Sequence, residues 1–207
     1  MKITTFLCLW TVMLAILACG NGDAPTLTIF PTDVHLRDGD IALRRGCGIA
    51  SRAVMFADKG SVYSHVGIVA LVDGRAMVVH AVPDEPDFPG DVDRVKMEPI
   101  ERFYSPVHAK AGRILRLSDS VSTARAARTA VMTFRRKTLF DHDYDERDTV
   151  RMYCSELVAH SYEAAGNPII GKSRHSVNLP GMKLDAVIFP SDFLRSEELI
   201  TVSAFAQ

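Results

Sequence analysis

From residue 32 onward the apolar and polar positions change period several times, and each change marks an element. Residues 41–43 form a short apolar run behind the turn Asp38-Gly39-Asp40, which predicts a strand. Gly46-Cys47-Gly48 is a loop, and Ile49, Ala53, Val54 and Phe56 recur at near-helical spacing, predicting a short helix over 49–59. Residues 63–72 are rich in valine, isoleucine and alanine, Asp73-Gly74 is a strong hairpin signal, and 76–82 returns as the partner strand. Pro83, Pro86 and Pro89 make the stretch 83–90 irregular. A strand at 92–97, a helical turn at 100–103 and an alternating, half-buried strand at 113–117 follow.

The second half is helical first. A helix over 122–135 is capped by Ser118 or Asp119, a polar, acidic loop occupies 140–148, and a helix over 154–165 stops at Gly166-Asn167-Pro168. Short strands at 186–189 and 199–202 close the chain. Strands with one helix, then helices, then strand define an α+β fold class.

The first residues follow a different pattern. Lys2 precedes an apolar run over 3–18 broken only by threonines, which has the layout of a secretory signal. It is short for a hydrocarbon core of ~30 Å, and Asn21-Gly22-Asp23 follows in place of basic anchors. Ile16-Leu17-Ala18-Cys19 resembles a bacterial lipobox. The expected organisation is a signal peptide at 1–18, lipidation at Cys19, a tether over 19–31 and one domain over 32–207. That places the mature chain in the bacterial cell envelope, on the periplasmic side and held to the membrane by its N-terminal lipid, with plain secretion as the alternative.

Charge and cysteine count narrow the chemistry. With 24 basic and 25 acidic residues there is no excess that would favour nucleic acid. After cleavage the cysteines are Cys19, Cys47 and Cys154, too few for a disulfide framework in so large a domain. A free thiol outside the cytoplasm reads more easily as a working thiol.

The hairpin permits a geometric deduction. If Asp73 and Gly74 form a two-residue turn, Val72 faces Arg75 and Gly67 faces His80. His65, Gly67 and His80 then share one face, with the histidines as diagonal neighbours ~7–8 Å apart at Cα. Gly67 leaves room between them. A catalytic imidazole needs a partner on its second nitrogen to fix its tautomer, which His80 can supply to His65. Cys154, at the start of a helix, is the candidate nucleophile, because orphan N–H groups and the helix dipole lower a thiol pKa. The alternative reading makes Cys154 a small apolar residue on a buried stripe with Leu157, Val158 and Ser161.

Three stretches carry a resemblance: Asp38-Gly39-Asp40-Ile41, Tyr63-Ser64-His65-Val66-Gly67-Ile68 and Tyr153-Cys154-Ser155-Glu156-Leu157-Val158. They resemble the YiiX/YebB-like branch of the NlpC-type cysteine hydrolases, which have a papain-like fold in permuted order. The resemblance implies an antiparallel sheet packed against a catalytic cysteine helix, with Cys154 as nucleophile, His65 as base and a third polar residue on the next strand. Where that branch often has Val-Ile-Glu-Ala, this chain reads Val78-Val79-His80-Ala81, so His80 takes the third place. Tyr63, Ser155 and Asp40 are candidates for the substrate cleft.

Relatives carry a tyrosine–aspartate stretch before the cysteine helix, so the loop 141–146 reads as a cleft wall. It lacks the glycine and spacing of a calcium hand, and no metal site is expected. Cys47 is a second thiol that could approach the cleft. The expected activity is amide cleavage in peptides or cell-wall stem peptides through an acyl-enzyme, with no cofactor. Acyl transfer or lipid-ester hydrolysis on the same fold is the rival, and a non-enzymatic envelope binding lipoprotein is the second class of reading.

Overall fold

A sheet of mostly antiparallel strands builds the frame of the computed structural model, which describes residues 27–59, 61–148, 150–172, 174–179 and 182–207. The expected signal peptide, Cys19 and most of the expected tether lie outside the described residues. The strands are β1 (Ile41–Arg45), β2 (His65–Val72), β3 (Arg75–Val82), β4 (Arg94–Pro99), β5 (Ala111–Leu117), β6 (Leu139–Phe140), β7 (Arg151–Met152), β8 (His175–Leu179), β9 (Met182–Val187) and β10 (Leu199–Ala206). The helices are α1 (Ile49–Ala57), α2 (Ile100–Phe103), α3 (Ser120–Arg135), α4 (Cys154–Ala164) and α5 (Pro190–Arg195). The large sheet runs β10-β5-β1-β2-β3-β4-β6-β7, and β8 and β9 form a separate hairpin.

The β2–β3 register is the one the turn residues dictate. Asp73 and Gly74 both have positive φ, as a tight hairpin needs, and Val72 pairs with Arg75 and Ile68 with Val79. Because the side-chain period is two, this register fixes which residues reach each face. On one face Ile41, Leu43, Val66, Ile68 and Val79 pack with α3 and α4 to form the main core. On the other, Ala42, Val69, Val78 and Ile114 meet Ile100, Phe103 and Tyr104 of the short α2 layer. The large apolar side chains on both faces are essentially fully buried, and burial of this kind contributes roughly 25 cal/mol per Å².

Local chemistry sets the helix ends. Asp119 caps α3 by accepting from Val121 N at 3.0 Å and Ser122 N at 3.4 Å. Glu156 Oε2 accepts from Tyr153 N at 3.2 Å at the start of α4, and Gly166 takes the left-handed conformation just after its end. The Tyr162 hydroxyl of α4 donates to Gly39 O. A Cβ on Gly39 would stand 2.5 Å from Thr123 of α3, so only glycine fits this junction between sheet and helices.

The structure corrects the C-terminal third. Ile188 and Phe189, expected within a strand, lie beyond β9, while β8 and α5 were not foreseen. β8 is a mixed sequence whose pairing comes only from β9, and α5 is too short to show a helical period. The final strand is longer than its apolar signal because it pairs along the full length of β5. Phe140 belongs to the two-residue β6 instead of the loop. Contacts with the domain begin before residue 32: Ile29 N donates to Tyr104 O at 2.9 Å, and Phe30 stacks on Tyr104.

Candidate active site

His65 is the first residue of β2, and His80 lies near the end of β3, both on the face covered by α2. Their rings meet as the register requires, with His65 Nε2 and His80 Nδ1 2.8 Å apart. Gly67 permits this contact, since a Cβ there would stand 2.5 Å from Val78 Cγ1 and 3.1 Å from His80 Cβ. Phe103 packs against both imidazoles, with ring centroids 5.8 and 5.1 Å away. His80 is fully buried.

Behind His80 stands a residue that sequence reasoning missed. Glu98 Oε1 on β4 lies 3.2 Å from His80 Nε2. The angle falls short of a good hydrogen bond, yet both atoms are buried and neither has another hydrogen-bond partner among the described residues. They face only each other, so the ion-pair distance is the better guide to the contact. His80 pairs across the ladder with Lys96, which makes Glu98 its diagonal neighbour. Charged residues two apart in a strand, Lys96 and Glu98, were the available signal, but the predicted strand stopped at 97. Arg102 Nε holds Glu98 Oε2 at 3.0 Å. Burial would raise the Glu98 pKa, but His80, Arg44 and Lys96 outweigh it and bring it down to about 2.

The candidate nucleophile arrives from the other layer. Cys154 opens α4, and the backbone N–H of Val66, the residue next to His65, is among the groups that favour its thiolate. Cys154 and His65 line one cleft of about 540 Å³ at the mouth of β2. The lowered thiol pKa expected from the helix start is reversed by burial. Burial pushes the Cys154 thiol up, against hydrogen bonds from Ser155, from Val66 N–H and from the first N–H groups of the helix. Burial likewise drives His65 well below the ordinary histidine value, aided by the positive charge of Arg44 and by His80 and His108. Arg44 faces His65 across the β1–β2 ladder, stacks 4.6 Å over Phe103 and bonds Glu85 at 2.6 Å. Both shifts favour the uncharged forms, thiol and neutral imidazole.

The remaining candidates divide. Ser155 lines the cleft, fully buried, with its Oγ 3.9 Å from Cys154 Sγ. Tyr63 does not reach the cleft: it is a core residue, with Arg113 above its ring. Asp40 is also a structural group, buried and gripped by Arg116 through two contacts of 2.7 Å. Both residues precede their strands, Asp40 before β1 and Tyr63 before β2, and neither lines the groove. Cys47 lines the cleft opposite the helix, with Sγ 3.8 Å from Pro106 O. Of the acidic loop, Tyr144 forms part of the wall, beside Phe140.

Most of the remaining wall is apolar. Val54 and Ala57 of α1 contribute to it, with Val177, Leu184 and Val187 of the β8–β9 hairpin and Phe189 before α5. Tyr153 joins this wall to the nucleophile, because its hydroxyl accepts from Ile188 N at 3.0 Å. Among the described residues, no group of three or more His, Cys, Asp and Glu side chains is arranged to hold a metal.

A strand histidine, a helix-start cysteine and an antiparallel sheet in this order define a papain-like cysteine hydrolase with permuted topology. The chain belongs to the C92 family of permuted papain-like amidases, YaeF/YiiX, whose model matches residues 35–203. It is similar in fold to YiiX from Escherichia coli O157:H7, described as a metalloprotein, with a TM-score of 0.66 and 21% identity over 81% of this chain and 96% of that one. No curated protein matches the chain.

Proposed function

We propose that this cysteine hydrolase acts outside the cytoplasm and cleaves amide bonds in peptides, with Cys154 as nucleophile and His65 as its base. Location is supported by the signal-like segment over 1–18 and the lipobox-like Cys19, which would hold the enzyme at the periplasmic face of the membrane. In acylation, Cys154 Sγ attacks the carbonyl carbon while its proton passes to His65, which then protonates the leaving nitrogen. Water resolves the thioester by the reverse path. The backbone N–H groups at the start of α4 are placed to receive the oxyanion.

The observation that carries this reading is the shared cleft of Cys154 and His65. Its largely apolar walls favour a substrate that offers an apolar side chain or acyl group over a strongly charged cell-wall stem peptide. The same walls lend support to the rival chemistry, hydrolysis or transfer of an acyl ester. Incubation with apolar peptide amides, muropeptides and simple acyl esters, followed by mass spectrometry of products and of Cys154, tests the assignment. Amide products with a transient acyl adduct on Cys154 are expected. Turnover of esters alone moves the enzyme to the rival reading, and neither turnover nor adduct leaves a binding lipoprotein. Incorporation of a fatty-acid label that is lost in Cys19→Ser tests the anchor, whereas an unlabelled, cleaved chain indicates plain secretion.

A further inference from the structure

The buried carboxylate behind the histidine pair has no role in the two-residue site just described. We propose that Glu98 is a positioning residue that fixes the tautomers of both imidazoles, making His65 and His80 a two-ring proton relay in which His80 holds the proton taken from Cys154. This rests on Cys154 and His65 acting as nucleophile and base.

The argument begins at the carboxylate. An ionised Glu98 can only accept, so the His80 Nε2 that faces it at 3.2 Å carries the hydrogen. A neutral His80 then has its lone pair on Nδ1, which receives the hydrogen of His65 Nε2 across the 2.8 Å contact. That leaves the lone pair of His65 on Nδ1, the nitrogen not engaged with His80. One carboxylate two rings away thus sets which nitrogen of the base is basic.

The same chain settles where a proton rests. His65 is hemmed by Arg44 on β1 and His108 on the loop between α2 and β5, both of which disfavour a positive charge on it. His80 faces Glu98, which carries negative charge, with Arg44, Lys96 and Arg102 as the other charged groups near that carboxylate. As the S–C bond forms, the thiol proton goes to His65 Nδ1 and the His65 Nε2 proton passes to His80 Nδ1. The imidazolium of His80 keeps its Nε2–H towards Glu98. When the C–N bond breaks, the protons return along the same path and His65 delivers one to the leaving nitrogen. No proton is gained or lost across the cycle.

The test is the pH profile of amide turnover, or of Cys154 alkylation by iodoacetamide read on the Cys154 peptide, in wild type and Glu98→Gln. Removing the negative charge lowers the proton affinity of the imidazole pair, so the ascending limb moves to lower pH by roughly one unit or more. The plateau falls about 10- to 100-fold. Nitrogen-15 histidine spectra add a readout independent of rate: both wild-type rings should carry hydrogen on Nε2 and none on Nδ1 when neutral. An unmoved limb in a folded Glu98→Gln protein, or a neutral His65 protonated on Nδ1, overturns the relay. Retained turnover in His65→Ala would sink the underlying base assignment instead, so the two failures are separable.

Discussion

The two walls of the cleft are built on opposite principles. The histidine wall is a continuous antiparallel ladder from β1 to β4 that buries Arg44, His65, His80, Lys96 and Glu98 within one face. Each polar group there is placed by register to within a hydrogen-bond length. The facing wall joins α1, a detached β8–β9 hairpin and the start of α5, with almost no charge. α1 buries none of its own residues, and Ile49 is 84% exposed. The proposed base and its polar partners therefore sit on the continuously hydrogen-bonded part of the fold. Shape selection is left to elements with few neighbours, where opening costs least.

This contrast can be broken from either side. Cys154→Ala or His65→Ala should lower amide turnover by about 1,000-fold or more while leaving the circular-dichroism spectrum unchanged. Residual activity within 10-fold of wild type would remove the chemistry from this wall. Gly67→Ala tests how tightly the ladder is set. Its Cβ would stand 2.5 Å from Val78 Cγ1 and 3.0 Å from Val79 O, pushing β3 and His80 away. A stability loss of ~1–3 kcal/mol in denaturant unfolding is expected, with a matching fall in turnover.

On the apolar wall, Leu184→Asp should raise KM for an apolar amide roughly 10-fold and leave kcat nearly unchanged, because the group binds without entering the reaction. A fall in kcat with constant KM would place Leu184 among the groups that act in the transition state. The smallest effect concerns Glu156 of α4. Burial first, and the negative charges of Asp141, Glu146 and Asp148 after it, raise its pKa to about 8 despite the bond from Tyr153 N. The folded state holds this proton where the unfolded chain, at 4.5, has released it. Stability should fall as pH rises from about 4.5 to about 8, and Glu156→Gln should flatten that slope in thermal melts. Parallel slopes for the two proteins would remove Glu156 as the cause.

Much of the site was legible because it is local. Asp73-Gly74 fixed the hairpin, the hairpin fixed the register, and the register placed His65 and His80 together before any coordinates were known. The helix behind Cys154 was equally readable from its period and from its stop at Gly166. Glu98 was not, because it lies on a third strand, β4, whose register against β3 no turn specifies. A linking segment over 83–93, irregular and proline-rich, joins the two strands. Tyr63 and Asp40 were misplaced because adjacency to a motif does not say what a side chain meets: the core for Tyr63 and Arg116 for Asp40.

The amino-acid order by itself determined the residue types, the spacing and the hairpin that brings two imidazoles together. These depend on short-range geometry, which a chain carries wherever it folds. Tertiary structure alone decided that burial pushes the thiol pKa up, that a carboxylate backs the second imidazole, and that a detached hairpin lines an apolar cleft. Burial and charge at a site are sums over neighbours distant in sequence, and no local pattern encodes such a sum.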